Sequence, residues 1–112
     1  MEIIFKEKPL SKTGVEITAQ KNGQEVGSII LSKRDGRALV GYIGVKTGFE
    51  NNNLGNELLE EGLNWANEQN CTEIGGTLTP KPGSEGKILK MIKKRGFKID
   101  KKGNARKKLG QN

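Results

Sequence analysis

The residues from Val45 to Leu59, V-K-T-G-F-E-N-N-N-L-G-N-E-L-L, have a pattern that is typical of strands leading into phosphate-binding helices. The segment starts as the end of an apolar strand and finishes as the start of a helix, with three asparagines and Gly55 between them. The first N–H groups of a helix have no partner inside the helix, so a junction of this kind often holds an anion. The alternative interpretation is a polar loop whose asparagines only cap the helix.

The helix after this loop is predicted from the spacing of its apolar residues. The residues that recur at the period of one helix face are Leu54, Leu58, Leu59, Leu63 and Ala66. We expect the helix to run from about Gly55 to about Gln69, with an asparagine capping its start.

The first half of the chain is predicted to form an antiparallel meander. Its four strands are Glu2–Lys6, Val15–Ala19, Glu25–Leu31 and Ala38–Val45. Asn-Gly at 22–23 and Asp-Gly at 35–36 are the dipeptides that tight hairpin turns favour. Neighbouring strands in this half should therefore pair with each other.

The second half of the chain alternates strands and helices. After the first helix we expect a strand at Thr72–Thr79, a helix that Ser84 caps and Gly96 ends, and a strand at Phe97–Asp100. The order is β-β-β-β-α-β-α-β. The strands on either side of the first helix should be parallel, because a helix joins them as a crossover. Ligands of such units bind at the carboxyl ends of the strands, which are residues 46–56 here.

Length and charge indicate one domain with a basic end. The chain has 112 residues, which suit a single domain at 1–100 followed by a basic tail at 101–112, either a final edge strand or disordered. Residues 1–80 carry 8 Lys/Arg and 11 Asp/Glu, a net charge of −3, whereas residues 81–112 carry 12 and 2, a net charge of +10.

Composition also excludes several classes of protein. With no histidine and the single cysteine Cys71, we expect neither a metal site nor an internal disulfide. No apolar run approaches the ~18 residues of a transmembrane helix, so no membrane partner is expected. The N-terminus lacks the pattern of a signal peptide, and a cytoplasmic location is therefore expected.

The strand, loop and helix resemble the acetyl-CoA-binding motif of the GNAT (general N-acetyltransferase) superfamily. In that motif a strand ending in Val leads through Tyr or Phe to Arg/Gln-x-x-Gly-x-Gly/Ala and a helix that opens with Leu-Leu. The residues on matching positions are Val45, Phe49, Leu54, Gly55, Leu58 and Leu59. The later segment I-L-K-M-I-K-K-R-G-F is similar to the closing helix of the family, with Gly96 and Phe97 matching.

The resemblance implies a fold and a co-substrate. The fold is α/β (α+β), a mixed and mostly antiparallel sheet flanked by two helices, without the family's two early helices because only S-K-T-G joins the first two strands. The co-substrate is acetyl-CoA, with its pantetheine arm along Ile43, Gly44 and Val45. The loop residues implied to hold its phosphates are Glu50, Asn51, Asn52, Asn53, Leu54, Gly55 and Asn56.

The implied activity is transfer of an acetyl group to an exposed amine, with a protein or peptide as acceptor because the acceptor side is left open. Tyr42 or water would handle the proton, although Tyr42 is equally suited to be an aromatic residue at the edge of the core. The alternative function is a non-catalytic GNAT-fold module that binds a protein or a nucleic acid.

Several positions depart from the family pattern. Glu50 places a negative charge where the family has Arg or Gln, and Asn51 and Asn53 replace loop glycines. Ile92 aligns with the tyrosine that usually protonates the leaving thiolate. These departures favour the non-catalytic alternative, whereas the retained spacing favours the enzyme.

The basic C-terminal third has three interpretations. Its cations form a solvated face, attract a phosphate of CoA, or bind nucleic acid, for which clustered charge and a high pI are typical. The absence of interleaved aromatic residues argues against nucleic acid, because bases stack on such side chains.

Overall fold

Two hairpin turns set the pairing of the first strands. Asn22 and Gly23 have φ values of 55° and 78°, and Asp35 and Gly36 have values of 52° and 78°. Positive φ at both central residues defines the type I′ turn, whose twist matches that of paired strands. The antiparallel meander expected from these dipeptides is confirmed.

The computed structural model describes residues 3–49, 53–77 and 85–109. Its elements are β1 Ile4–Pro9, β2 Gly14–Lys21, β3 Gln24–Arg34, β4 Arg37–Val45, α1 Leu54–Glu68, β5 Glu73–Thr77, α2 Glu85–Lys94, β6 Lys98–Ile99 and β7 Asn104–Lys108. They form one seven-stranded sheet with the order β1-β2-β3-β4-β5-β7-β6. Strands β4 and β5 are parallel, and the other neighbouring pairs are antiparallel, so the predicted mixed, mostly antiparallel α+β fold with two helices is confirmed.

Strand β7 adds one element to the predicted order. It lies within the tail assigned to residues 101–112 and pairs with β5 on one side and β6 on the other. This part of the tail is therefore an interior strand rather than an edge strand. Ala105 of this strand is 5 % exposed and belongs to the core.

Helix α1 packs on the sheet through the apolar stripe expected from the sequence. The buried residues of the helix are Leu54, Leu58, Leu59, Gly62, Leu63, Trp65 and Ala66. A Cβ atom at Gly62 would lie 2.9 Å from Cδ1 of Ile29, so the glycine allows the helix to approach β3 closely. Neither α1 nor α2, the helices of the described residues, is long and apolar enough to cross a membrane.

The two helices contact each other and cover the same face of the sheet. Arg95, at the end of α2, hydrogen-bonds residues of the first turns of α1, and Ile92 of α2 belongs to the same buried core as α1. The opposite face, called the open face below, carries the side chains that alternate with the core residues. Exposure of Leu39 and Tyr42, 42 % and 50 %, shows that no described element covers it there.

Candidate functional site

Strands β4 and β5 pair along only part of their length and then separate. The parallel pairing consists of Arg37 with Glu73, Ala38 with Ile74, and Leu39 with Gly75. Strand β4 continues to Val45, whereas β5 ends at Thr77 and pairs with β7 along its whole length. Among the described residues, the last part of β4 therefore has a strand neighbour only on its β3 side. This leaves an unpaired edge, called the cleft below, along Ile43, Gly44 and Val45.

Two consecutive glycines form the apex of the cleft. A Cβ atom at Gly76 would lie 2.7 Å from the carbonyl oxygen of Val40 in β4. A Cβ atom at Gly75 would lie 2.7 Å from the carbonyl oxygen of Ala105 in β7. Only glycine permits approaches this close, so the pair lets β5 contact both neighbours just before the strands separate. No local pattern in the sequence indicated this role of the Gly-Gly pair.

A β-bulge at Gly41 sets which side chains face the cleft from β4. Ile30 pairs with Tyr42 whereas Leu31 pairs with Val40, so Gly41 is the extra residue. Uninterrupted alternation would place Tyr42 on the same face as Val40, which packs on the core. The bulge instead turns Ile43 and Val45 toward the core and leaves Tyr42 on the open face.

The Tyr42 ring lies over Gly44 on this face. A Cβ atom at Gly44 would lie 2.1 Å from the phenol oxygen, so the missing side chain makes room for the ring. The phenol is half exposed and belongs to neither the core nor its edge cluster. Tyr42 is therefore accessible on the open face and is not an aromatic residue at the edge of the core.

Helix α1 begins directly beside the cleft, as the motif requires. Asn53 occupies the N-cap position with left-handed backbone, φ 59° and ψ 17°. Its side chain makes no capping hydrogen bond, so the expected side-chain cap is wrong for this residue. Left-handed backbone explains the residue type, because asparagine tolerates it better than most residues.

Gly55, in the first turn of α1, lies close to the last residue of β4. A Cβ atom at Gly55 would be 3.8 Å from Sδ of Met91 and 3.8 Å from Cγ2 of Val45. Gly55 thus lies between β4 and α2, and these distances are ordinary contacts rather than clashes. The residues Glu50, Asn51 and Asn52 of the proposed loop lie outside the described residues.

A polar clamp holds the two helices together at this end. Arg95 donates from Nε to Oδ1 of Asn56 at 2.8 Å, and its Nη1 forms an ion pair with Glu60. Lys107 of β7 donates to the carbonyl oxygen of Arg95. The clamp therefore fixes α2 against the first turns of α1, a role that no local pattern in the sequence indicated.

The β5 arm of the cleft ends in a hydrogen-bonded network. Thr77 donates to Oδ1 of Asn104 at 2.8 Å, and Asn104 donates from Nδ2 to Oδ2 of Asp100 at 3.0 Å. The backbone N–H groups of Asn104 and Lys102 also donate to Asp100. These bonds, led by the backbone N–H of Asn104, hold the pKa of Asp100 below its usual range.

Other candidate residues have structural positions. Ile92 aligns with the tyrosine that acts as general acid in the family. It is 5 % exposed and packs in the core, and its side chain offers no proton donor. Cys71 is 2 % exposed, and burial raises the pKa of its thiol, which disfavours the nucleophilic thiolate. Within residues 3–49, 53–77 and 85–109, no group of acidic or cysteine side chains is arranged to hold a metal ion.

Comparison with known protein families identifies this arrangement. The sequence model of the acetyltransferase (GNAT) family matches residues 3–97. The chain belongs to the GNAT acetyltransferase family. The expected family membership is thereby confirmed, although no curated protein has a significantly similar sequence.

Solved structures of the family share the fold at low sequence identity. A GNAT acetyltransferase from Staphylococcus aureus Mu50 is 22% identical, with a TM-score of 0.74 over 87% of this chain and 68% of that one. The ribosomal-protein-S18-alanine N-acetyltransferase from Escherichia coli is 12% identical, with a TM-score of 0.76 over 91% and 73%. A GNAT acetyltransferase from Elizabethkingia anophelis, solved with acetyl-CoA bound, is 19% identical, with a TM-score of 0.74 over 88% and 77%.

Proposed function

We propose that this GNAT protein transfers the acetyl group of acetyl-CoA to an exposed amine of a protein or peptide. The observation that carries the proposal is the separation of β4 from β5 together with the position of the start of α1 beside the end of β4. A slot between two strands and a helix start with free N–H groups fit the two parts of CoA, an extended arm and a pyrophosphate. The acetyl-CoA complex of the E. anophelis relative supports this choice of co-substrate.

In this proposal the backbone of β4 binds the pantetheine arm. The backbone N–H of Lys46 donates to Val26 of β3, so Gly44, two residues earlier, also directs its backbone groups to β3. Ile43 and Val45 then have backbone groups on the cleft side that no described strand uses. The pyrophosphate would contact the N–H groups at the start of α1, from Asn53 to Asn56, together with loop residues 50–52. Gly55 belongs to this first turn and lies between Val45 and Met91, where a Cβ atom would make ordinary contacts.

Most of the groups that this reaction would require are backbone groups, and few catalytic side chains would be needed. The acceptor amine attacks the thioester carbonyl, and a strand N–H of the cleft stabilises the oxyanion that forms. Tyr42 or water would accept the proton that the amine loses, because Tyr42 is accessible on the open face. Buried Ile92 supplies no acid for the leaving thiolate, so that proton would come from solvent or from Tyr42.

Thermal unfolding with acetyl-CoA, and with ATP as a control, tests the binding part of the proposal. A ligand at 100 times its dissociation constant adds about 2.7 kcal/mol, which corresponds to roughly 10 °C for a domain of this size. Gly55→Leu should abolish the shift without unfolding the protein, because the added side chain would extend between Val45 and Met91. Asn64→Leu, on the exposed face of the same helix, should leave it unchanged.

Two outcomes would contradict the proposal. No shift at millimolar acetyl-CoA would favour the alternative of a non-catalytic GNAT-fold module, which the buried Ile92 supports. An unchanged shift in Gly55→Leu would remove the assignment of the phosphate site to the start of α1.

A further inference from the structure

The open face carries a small basic depression beside the cleft. It has a volume of about 310 Å³ and is lined by Lys98, Ile99, Asp100, Asn104 and Arg106. Register places it close to the cleft, because Arg106 pairs with Gly75, which pairs with Leu39 at the last position before the strands separate. We name this depression the basic pocket.

The acidic residue of the basic pocket, Asp100, already has hydrogen-bond partners within the protein. Asp100 accepts hydrogen bonds from the backbone of Lys102 and Asn104 and from the Asn104 side chain. It therefore fixes the β6–β7 turn, and only part of its charge is available to compensate the nearby cations. Asp100 and Arg106 both line the basic pocket.

The two cations of the basic pocket remain available to bind an anionic ligand. Neither Lys98 nor Arg106 forms an ion pair within 4.0 Å in the part of the chain that the structure describes. The Arg106 stem lies over Gly75, since a Cβ atom there would be 3.3 Å from Cγ of the arginine. A guanidinium held this way is suited to a carboxylate, which it binds through two parallel hydrogen bonds.

An apolar patch lies on the other side of the cleft. Ile30 pairs with Tyr42 across β3 and β4, and Leu39 lies diagonal to Ile30 on the same face. Leu39 and Tyr42 are 42 % and 50 % exposed. An acceptor that spans the cleft would thus meet an apolar surface on one side and two cations on the other.

We propose that the basic pocket binds a carboxylate of the acceptor, so that this protein selects protein or peptide segments with an acidic side chain near the amine. The inference rests on the proposed function for the identity of the amine site. Arg106 is about two strand spacings from β4, or roughly 10 Å, and an extended peptide covers that distance in about three residues. The acidic residue should therefore lie about three residues from the amine.

Nucleic acid fits this surface less well. Phosphate would bind the same cations, but Tyr42 is the one aromatic side chain of the described open face on which a base could stack. A second copy of the chain is also disfavoured as the occupant, because it would present the same cations. A carboxylate-bearing peptide satisfies both the cations and the apolar patch.

Synthetic peptides of otherwise neutral sequence test the inference. One series has a free N-terminus and no lysine, and the other has a blocked N-terminus and a single lysine. In each, one glutamate is placed one, three or six residues from the amine, with glutamine as the matched control. Binding is measured by fluorescence anisotropy with CoA present, and transfer by release of CoA from acetyl-CoA.

Glutamate three residues from the amine should bind about 5-fold more tightly than glutamine at low salt, as expected for two exposed ion pairs. The double change Lys98→Gln and Arg106→Gln should remove that preference. Lys93→Gln with Lys94→Gln, an equal loss of charge on the exposed surface of α2, should retain it. Equal binding of glutamate and glutamine peptides by the unaltered protein would overturn the inference without reference to any variant.

The binding and transfer measurements separate this inference from the proposed function. Transfer to both peptides at equal rates would overturn the acidic preference and leave the acetyltransferase intact. Selective binding of the glutamate peptide without transfer would support the basic pocket and contradict the activity. Binding of single-stranded oligothymidine that depends on Arg106, with no binding of either peptide, would overturn the choice of a protein partner.

Discussion

Gly76→Ala should destabilise the protein by forcing β4 and β5 apart at the apex of the cleft. The new Cβ would lie 2.7 Å from the carbonyl oxygen of Val40 and 3.4 Å from its Cβ. Backbone atoms cannot move aside as a side-chain end can, so β4 and β5 must separate. Overpacking of this kind costs about 1–3 kcal/mol, and the lower chain entropy of alanine in the unfolded state offsets about 0.4–1 kcal/mol of it.

The expected net loss is about 1–2 kcal/mol, which lowers the midpoint of thermal unfolding by about 4–12 °C for a domain of this size. Gly41→Ala is the matched control, because its nearest neighbour would be the carbonyl oxygen of Ile30 at 3.9 Å. Circular dichroism during heating measures both variants. A melting temperature of Gly76→Ala at or above that of the unaltered protein would refute the close approach of β5 to Val40.

Two further predictions concern α1. Arg95→Met removes the hydrogen bond to Asn56 and the ion pair with Glu60. It should lower the free energy of unfolding by no more than about 1 kcal/mol. It should also weaken acetyl-CoA binding several-fold, measured by titration calorimetry. Unchanged affinity would mean that the clamp does not position the helix start. Partial burial and repulsion from Glu7 and other acids raise the pKa of Glu61. The contribution of Glu61 to folding stability is therefore present when its carboxyl is protonated and is lost as pH rises through the folded-state pKa. Glu61→Gln should therefore raise the melting temperature slightly at about pH 7 and make no difference below about pH 4; a constant difference would contradict the shift.

The elements that could be predicted from sequence are those set by neighbouring residues along the chain. Asn-Gly and Asp-Gly tolerate positive φ, and this property placed both hairpin turns. The leucine spacing of α1 required a helix whichever surface it covered, and the observed helix is Leu54–Glu68. The strand–loop–helix order could be predicted for the same reason, because each of these elements is set by residues that are neighbours in the chain.

Tertiary structure decided the parts that depend on pairing between distant segments. The bulge at Gly41 reverses the alternation of β4, and only the register with β3 reveals it. That reversal places Tyr42 on the open face instead of against the helices. The insertion of β7 between β5 and β6 likewise depends on hydrogen bonds from residues about thirty positions apart, which no local pattern encodes.

The candidate site likewise has one part that local sequence determines and one part that strand pairing determines. The sequence by itself determined the chemistry available at the start of α1, because Gly55 and the asparagines are neighbours in the chain. The cleft beside it exists because Gly75 and Gly76 let β5 contact two strands and then leave one of them. Arg106 lies near that cleft for the same reason, since strand pairing joins residues that are far apart in sequence.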